Sequence, residues 1–433
     1  MVSLGCSKNT VDSENMLGLL AEAGYRLEAD ERAADVIIVN TCSFIGDATQ
    51  ESVRTIVELG ETGKKLVVSG CLAQRHQQEL FDELPEVSAV LGTGDFGDIA
   101  TILDRVQAGE RLNAVTALPQ SERVVQVELP RLLTGLGPSS YLKISEGCDH
   151  TCTFCIIPQF RGKYVSRPEE HILREARRLA EGGVREVVLI AEDTTRYGQK
   201  ETGKFQLPRL LEKLAKVDGL DWIRILYAYP NYMTDALLEA IRDLPKVVPY
   251  LDVPLQHTHP DMLRAMKRPR HEPPADLVAR MRAIVPDLAI RTTFITGFPG
   301  ETEEHFAHML EFVRAQRLDH VGAFAYSPEK GTPAAAMKPA VPKKVREQRR
   351  RRIMQEQQRI SHEIHQALVG RELDVLVESV DVATGRALGR TYRDAPEIDG
   401  TTYVAAGRAL EPGEIVRIRI TRAEPYDLHG EAL

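Results

Sequence analysis

Between residues 136 and 366 the chain alternates strand-like and helix-like stretches about six times. Apolar runs of strand character lie at 138–144, 186–190, 222–226, 250–253, 289–295 and 320–325. Stretches with helical period separate them at 169–181, 207–216, 235–243, 274–284 and 302–315. Strands that alternate with helices pair in parallel, because a parallel pair needs a long crossover between its members. Six units make an open partial barrel and fall short of a closed eightfold one. In such folds the working groups collect in the loops that follow the strands.

The loop after the first of these strands carries Cys148, Cys152 and Cys155, spaced C-x3-C-x2-C. Three neighbouring thiolates can hold one inorganic group together. A disulfide takes two cysteines, and a structural zinc usually takes four ligands. Three cysteines on a four-iron cluster leave one iron open for a substrate-like cofactor. The competing reading is a zinc knuckle completed by His150, which lies inside the loop and would crowd the metal.

The other three cysteines share a different logic. Strand-like runs at the start of the chain, at 35–39 and at 65–69 are followed directly by Cys6, Cys42 and Cys71. Helical stretches at 13–23 and 48–59, each stopped by glycine, lie between them. A parallel sheet puts the carboxyl ends of its strands on one edge, so these cysteines can converge into a second site. Three ordinary buried cysteines are the alternative, which leaves their common position after a strand without a cause. No G-x-G-x-x-G follows the first strand, which disfavours a dinucleotide fold.

Composition bounds the class. A chain of 433 residues exceeds one ordinary core, so two to four domains are expected. With 43% hydrophobic and 27% charged residues it reads as a globular protein without a membrane span or secretory leader, hence cytoplasmic with reduced thiols. A net charge of −8 gives no general pull towards nucleic acid. Residues 110–135 show no clear period and read as a linker with one short strand at 124–127. The stretch 343–359 is a basic helix, either a nucleic-acid contact or a solvated connector. From 367 onward short strands at 373–378, 386–391, 402–405 and 415–421, with turns at Gly385, Gly400 and Gly413, read as a small antiparallel barrel. From Gly370 that segment has 12 acidic against 8 basic side chains. Asp394, Glu397 and Asp399 share one loop, so the barrel is expected to dock a basic protein rather than RNA.

Phe154 completes a C-x3-C-x-aromatic-C pattern, which resembles the signature of the radical S-adenosylmethionine superfamily. The run from Ser3 to Glu14, Asn40-Thr41-Cys42 and the run from Gly70 to Ala73 resemble the N-terminal domain of the methylthiotransferases. Only five residues precede Cys6, so the first strand is clipped relative to that family. The C-terminal segment resembles the TRAM module, an OB-like barrel. From Val2 to about Leu428 the chain is similar to the RimO family. The run from Gly147 to Pro158, Arg161-Gly162-Lys163 and the run from Asp394 to Gly400 carry that likeness; Glu192 stands where the family has glutamine.

The resemblance implies three domains, at 1–110, 136–366 and 367–433. It implies two 4Fe-4S clusters, a radical-generating one on Cys148, Cys152 and Cys155 and an auxiliary one on Cys6, Cys42 and Cys71. The cofactor is S-adenosylmethionine, two per turnover, with Phe154, Gly297, Gly300 and Glu301 against it. The glycine loop also fits a plain turn before a helix capped by Thr302, and His257 and His259 fit scaffold roles. The implied reaction adds a methylthio group to the β-carbon of an aspartate in ribosomal small-subunit protein S-twelve, fed by an external electron donor and sulfur source. An unactivated C–H bond offers no proton to a base, so no catalytic residue is assigned beyond the cluster ligands. A tRNA adenosine methylthiotransferase and a non-catalytic iron–sulfur scaffold are the alternatives.

Overall fold

The computed structural model describes residues 1–117, 121–268, 271–381 and 385–433. The N-terminal part runs β1 (Val2–Ser3), α1 (Ser7–Glu22), β2 (Val36–Thr41), α2 (Gly46–Gly60), β3 (Lys65–Gly70), α3 (Cys71–Glu83), β4 (Val87–Leu91), α4 (Ile99–Gln107) and β5 (Leu112–Asn113). Its five strands form one parallel sheet in sequence order. Alternation divides each strand between two faces. Ile38 and Val67 point towards α1 and α4, and Ile37, Val39, Leu66 and Val68 towards α2 and α3.

The segment 121–125 corrects one expectation. Its valines suggested a strand at 124–127, but Ser121–Val125 is one helical turn, α5. Ser121 Oγ donates to the Lys163 carbonyl at 2.6 Å, so a tertiary tie overrides the local β preference. The expected linker 110–135 includes 118–120, which lie outside the described residues.

The central part begins with β6 (Ser139–Lys143), β7 (Ser145–Glu146), α6 (Ile157–Arg161), β8 (Val165–Ser166), α7 (Glu169–Glu181), β9 (Glu186–Ile190), α8 (Gln199–Thr202) and α9 (Leu207–Leu214). It continues through β10 (Trp222–Ile225), α10 (Asp235–Asp243), β11 (Val247–Asp252), α11 (Pro260–Ala265) and α12 (Pro274–Ile284), then β12 (Ala289–Thr296), α13 (Glu303–Gln316), β13 (His320–Ala325) and α14 (Lys343–Gln366). Six parallel strands order as β13-β12-β11-β10-β9-β6, the partial barrel the alternation implies. Helices cover the outer face through a large apolar cluster that includes Ile353 and Ile360 of α14. The inner face, with Tyr141, Val188, Trp222 and Tyr250, is filled by Val11 of α1 and by Leu376 and Ala395 of the C-terminal part.

That part closes as a five-stranded barrel: β14 (Glu372–Val380), β15 (Ala387–Thr391), β16 (Thr402–Ala405), β17 (Ile415–Ala423) and β18 (Leu428–Ala432), ordered β14-β15-β16-β18-β17. It is not wholly antiparallel. β18, which sequence pattern did not reveal, closes the barrel by pairing in parallel with β16, Thr402 opposite Leu428.

The acidic loop is a larger correction. Asp394 is buried and accepts from Thr391 Oγ1 at 2.9 Å. Asp399 accepts from Tyr250 Oη at 2.6 Å and lies 3.4 Å from Arg291; Glu397 accepts from Tyr141 Oη at 2.7 Å. These carboxylates fasten the barrel to the amino-terminal end of the central sheet, and with the Asp394 and Asp399 side chains buried and only Glu397 exposed they do not form the expected acidic docking loop. Four arginines of the basic helix have acidic partners, as a connector would, while Lys343, Lys344 and Arg351 are exposed. Arg349, Arg350, Arg352 and Arg359 pair with Glu301, Glu347, Glu303 and Glu356 at 2.6–3.0 Å.

Candidate functional site

Each N-terminal cysteine sits where a strand of the parallel sheet ends. Cys6 is exposed and precedes α1, Cys42 directly follows β2, and Cys71 is the first residue of α3. The turns that put them there need glycine. Gly5 has φ +102° and a Cβ on it would lie 2.8 Å from Cys42 Cβ; Gly70 has φ +93° and its Cβ would lie 2.3 Å from Asn40 Oδ1. The three thiols are close enough to act on one another electrostatically. Burial, reinforced by Cys6 and Cys42 as neighbours, pushes the Cys71 thiol up to about 12.

Cys148, Cys152 and Cys155 lie in the loop between β7 and α6, past the carboxyl end of β6. The loop is pinned by Cys148 N–H to the Gly162 carbonyl at 3.0 Å, and by Thr153 N–H to the Met266 carbonyl at 3.1 Å. Burial, with Cys152 beside it, pushes the Cys155 thiol up to about 12. Arg268 Nη1 lies 3.6 Å from Cys152 Sγ and stacks its guanidinium 4.5 Å over the Tyr229 ring. All six cysteines are free thiols.

The donor sets fit iron–sulfur clusters better than single ions. A tetrahedral zinc with Zn–S near 2.3 Å draws its sulfurs to about 4 Å apart. Among the described residues, neither set gathers three ligand atoms within 4.8 Å of one another. His150 does not complete a zinc knuckle. Its Nε2 is 2.7 Å from Asp193 Oδ2 and its ring stacks on Tyr229 at 3.9 Å.

The two cysteine sets face each other across a polar seam. Cys71 packs with Ile156 and Phe160, next in sequence to Cys155 and Arg161. From α1, Asp12 pairs with Lys143 and, at 2.7 Å, with Arg161; from β7, Glu146 pairs with the same two cations at 2.8 and 3.1 Å. Asn9 Oδ1 accepts from Arg161 at 2.5 Å. Lys8 is buried with its ammonium 3.2 Å from the Tyr227 ring centroid. Glu192 Oε2 is shielded from solvent without a hydrogen-bond partner among the described residues; burial and the Glu146 charge push its carboxyl up to about 7.

The residues expected against the cofactor divide. Phe154, within the cysteine loop, packs beside Met262, Met266, Phe298 and Tyr326. Gly300 donates its N–H to Pro339 and has open space where a Cβ would be. Gly297 makes room for the Arg346 side chain, 2.0 Å from where its Cβ would lie. Glu301 points inward: its Oε1 accepts from Gly297 N–H at 2.9 Å and from Arg349 at 2.7 Å, and its Oε2 is 3.4 Å from His257 Nε2. It braces the loop, as the turn reading with Thr302 capping α13 requires. His257 accepts two backbone N–H groups, a scaffold role. Sequence reasoning missed Lys8, Asp12, Lys143, Glu146, Tyr227 and Arg268, and marked Glu192 only as a departure from the family's glutamine. The available signal was the polar run after Cys6, where a helix covering a sheet should turn an apolar stripe inward.

A six-stranded parallel partial barrel with a C-x3-C-x2-C loop at its first strand end defines a radical S-adenosylmethionine protein. The profile of the Radical SAM superfamily matches residues 142–313, that of the Uncharacterized protein family UPF0004 matches 1–92, and that of the TRAM domain matches 369–433. A protein of Synechococcus sp. (strain RCC307), named ribosomal protein uS12 methylthiotransferase RimO, is 52% identical over 99% of this chain and 88% of its own length. The Synechocystis protein of the same name is also 52% identical, over 99% of this chain and 96% of its own length. The chain belongs to the RimO family. A solved radical S-adenosylmethionine methyltransferase, TsrM from Kitasatospora setae, shares the fold with a TM-score of 0.58 at 14% identity, over 76% of this chain and 71% of its own. No helix among the described residues is long and apolar enough to cross a membrane.

Proposed function

We propose that this chain transfers a methylthio group to the β-carbon of an aspartate in ribosomal protein uS12, the small-subunit protein S-twelve. The observation that supports this most is the convergence of two three-cysteine sets across one buried seam. Each set would hold one 4Fe-4S cluster, Cys148, Cys152 and Cys155 the radical-generating one and Cys6, Cys42 and Cys71 the auxiliary one. With S-adenosylmethionine bound, these groups supply the one-electron chemistry that breaks an unactivated C–H bond and the sulfur that replaces the hydrogen.

The chain's own residues do the positioning. Asp12 and Glu146, each shared by Lys143 and Arg161, hold α1 against the cysteine loop and so fix the distance between the sets. Ile156 and Phe160 exclude water from the contact. Arg268 donates towards Cys152 Sγ, and a donor to a thiolate sulfur tunes the potential of whatever it ligates. Phe154 and the backbone of Gly297 and Gly300 are the groups left to face the cofactor, with Glu301 acting through the loop it braces. The functional division follows 1–110, 136–366 and 367–433, with electron donor and sulfur source external and the protein cytoplasmic. The test is mass spectrometry of uS12 and of tRNA after incubation with anaerobically reconstituted protein. A mass gain on the uS12 aspartate is expected, and a gain on tRNA alone would move the reading to a tRNA methylthiotransferase.

A further inference from the structure

Buried cations in this protein almost always have a carboxylate. Lys143, Arg161, Arg224, Arg349 and Arg390 are each buried with an acidic oxygen within 4.0 Å. Lys8 and Arg268 are buried to the same degree, each 7% exposed, and among the described residues neither has one. Arg268 has other acceptors, Cys152 Sγ and the Pro254 carbonyl at 2.9 Å. Lys8 has none among the described residues; its ammonium rests on the face of Tyr227, while its nitrogen keeps some solvent contact. A buried cation without a direct ion-pair partner leaves its N–H donors open to a ligand that carries an acceptor.

The position of Lys8 says what that could be. It is two residues from Cys6 and within electrostatic reach of Cys6 and Glu192. Glu192 in turn is within reach of Cys148 and Cys155. The nearby carboxylates Asp12 and Glu146 are already shared between Lys143 and Arg161. Tyr227 is a rigid platform. It holds φ +59°, unusual for a residue with a side chain. Three contacts keep it there: its N–H to Asp252 Oδ2 at 3.1 Å, its carbonyl to Thr194 N–H at 3.2 Å, and its hydroxyl to Ser7 Oγ at 3.2 Å.

We infer that the Lys8 ammonium binds the side-chain carboxylate of the substrate aspartate and so holds its β-carbon between the two cysteine sets. This rests on the reading of an aspartate substrate given above. The β-carbon is bonded directly to the carboxylate carbon, so gripping the carboxylate places the carbon that reacts. An ammonium on a flexible stem suits the task, because it offers three donors without imposing one planar approach. Asparagine in place of the aspartate would leave Lys8 without a counter-charge, and the site would reject it.

The test uses reconstituted holoprotein and a uS12 peptide carrying the target aspartate or asparagine in its place. Wild type should bind the aspartate peptide about tenfold or more tightly over the asparagine peptide. Lys8→Met should bind the two alike and raise KM for the aspartate peptide by the same factor, and Lys8→Arg should restore part of the preference. A Lys8→Met protein that keeps the wild-type preference overturns the inference. So does one that loses affinity for S-adenosylmethionine while keeping that preference. Lys8 lies beside Cys6, so a second measurement avoids substitution. Carbodiimide activates the peptide carboxylate, the lysine amine displaces it to form an amide, and the reagent leaves as urea with the oxygen. Mass spectrometry should find the target aspartate joined to Lys8; coupling elsewhere, or none, counts against the assignment. Wild type that fails to modify uS12 at all sinks the proposed function instead, a separate outcome.

Discussion

The two ends of the central sheet are both closed by a neighbouring domain, and they are closed in opposite ways. At the amino-terminal end the barrel brings its own cations and carboxylates, and each cation named here meets a carboxylate directly, although Arg224 Nη2 and Asp394 Oδ1 keep no hydrogen-bond partner among the described residues. Glu186 lies between Arg224 at 2.7 Å and Arg390 at 2.5 Å, and Asp399 takes Tyr250, Arg291 and His320. At the carboxyl end α1 brings Lys8, Asn9 and Asp12 against Lys143, Glu146, Arg161 and Glu192. That set is less fully paired: among the described residues Lys8 makes no ion pair and Glu192 Oε2 accepts no hydrogen bond. In barrels of parallel strands the amino-terminal end serves stability and the carboxyl end chemistry. Closed polar networks stabilise a fold, and unfinished ones are kept where a ligand completes them.

The sharpest way to break this comparison is to remove sulfurs at the carboxyl end. Cys148→Ala should abolish formation of 5′-deoxyadenosine, while Cys42→Ala should still form it and yield no methylthiolated uS12. Iron analysis checks the independence of the sets. Replacing Cys148, Cys152 and Cys155 together should leave about half of the roughly eight irons expected per chain. Methylthiolated product from Cys42→Ala would end the division of labour.

The barrel end comes next in size. Glu186→Ala strips the shared carboxylate from Arg224 and Arg390, and breaking a buried pair this way costs about 3–5 kcal/mol. Hydrogen exchange should speed first in β14 to β18 and along β9, with the cysteine loop unaffected. The same residue sets a pH dependence. Burial alone would raise the Glu186 carboxyl, but Arg390 and Arg224 outweigh it and bring it down to about 2 from the usual 4.5. A depressed folded value means the contribution is complete above 4.5 and lost as pH falls from 4.5 towards 2. At 1.36 kcal/mol per pH unit the ceiling is about 3 kcal/mol. Urea unfolding of the apoprotein at pH 5 and pH 3 should show this loss in wild type and a smaller one in Glu186→Gln.

Arg268 sharpens the contrast on a finer scale. It is the only one of the two carboxylate-free buried cations that touches a cysteine sulfur. An N–H donor stabilises a thiolate more as the group it ligates gains an electron. Arg268→Met should therefore lower the reduction potential of the Cys148 set. A long N–H contact to sulfur of about 1 kcal/mol corresponds to about 40 mV for one electron. Spectroelectrochemistry of reconstituted wild type and variant checks both sign and size; an unchanged potential would remove Arg268 from the tuning role.

Much of this was legible because period and punctuation agree. The helices Glu169–Glu181, Asp235–Asp243 and Pro274–Ile284 begin and end where their apolar period and flanking Gly or Pro place them. The convergence of Cys6, Cys42 and Cys71 could be read without any structure, because parallel strands leave only one edge for residues that follow them. What stayed hidden depends on partners far away in sequence. Asp394 and Asp399 look like surface acid until His320, Arg291 and Tyr250 are brought to them. Lys8, Asn9 and Asp12 look like a solvated helix start until Arg161 and Tyr227 close over them. Local pattern reports hydrophobic burial well and paired-charge burial poorly, since a buried ion pair has the composition of a surface.

The smallest expected effects lie on α14, where the arginines invite a nucleic-acid reading. Arg359 is 53% exposed and pairs with Glu356 at 2.6 Å, and Arg352 is 42% exposed and pairs with Glu303 at 2.9 Å. Exposed pairs of this kind contribute about 0.2–1 kcal/mol each. A positive surface meant for phosphate would leave its cations free, whereas each of these has a glutamate from α13 or its own helix. Arg352→Ala with Arg359→Ala should therefore lower the unfolding free energy from urea titration by no more than about 2 kcal/mol in total and leave uS12 modification within about twofold. Binding to tRNA, measured by filter retention across salt, should be equally weak in wild type and variant. If the double variant instead lost a salt-dependent tRNA affinity that wild type has, with a log–log slope falling by about 2, then these arginines contact phosphate. The paired-network argument would then fail at its exposed end while standing at its buried one.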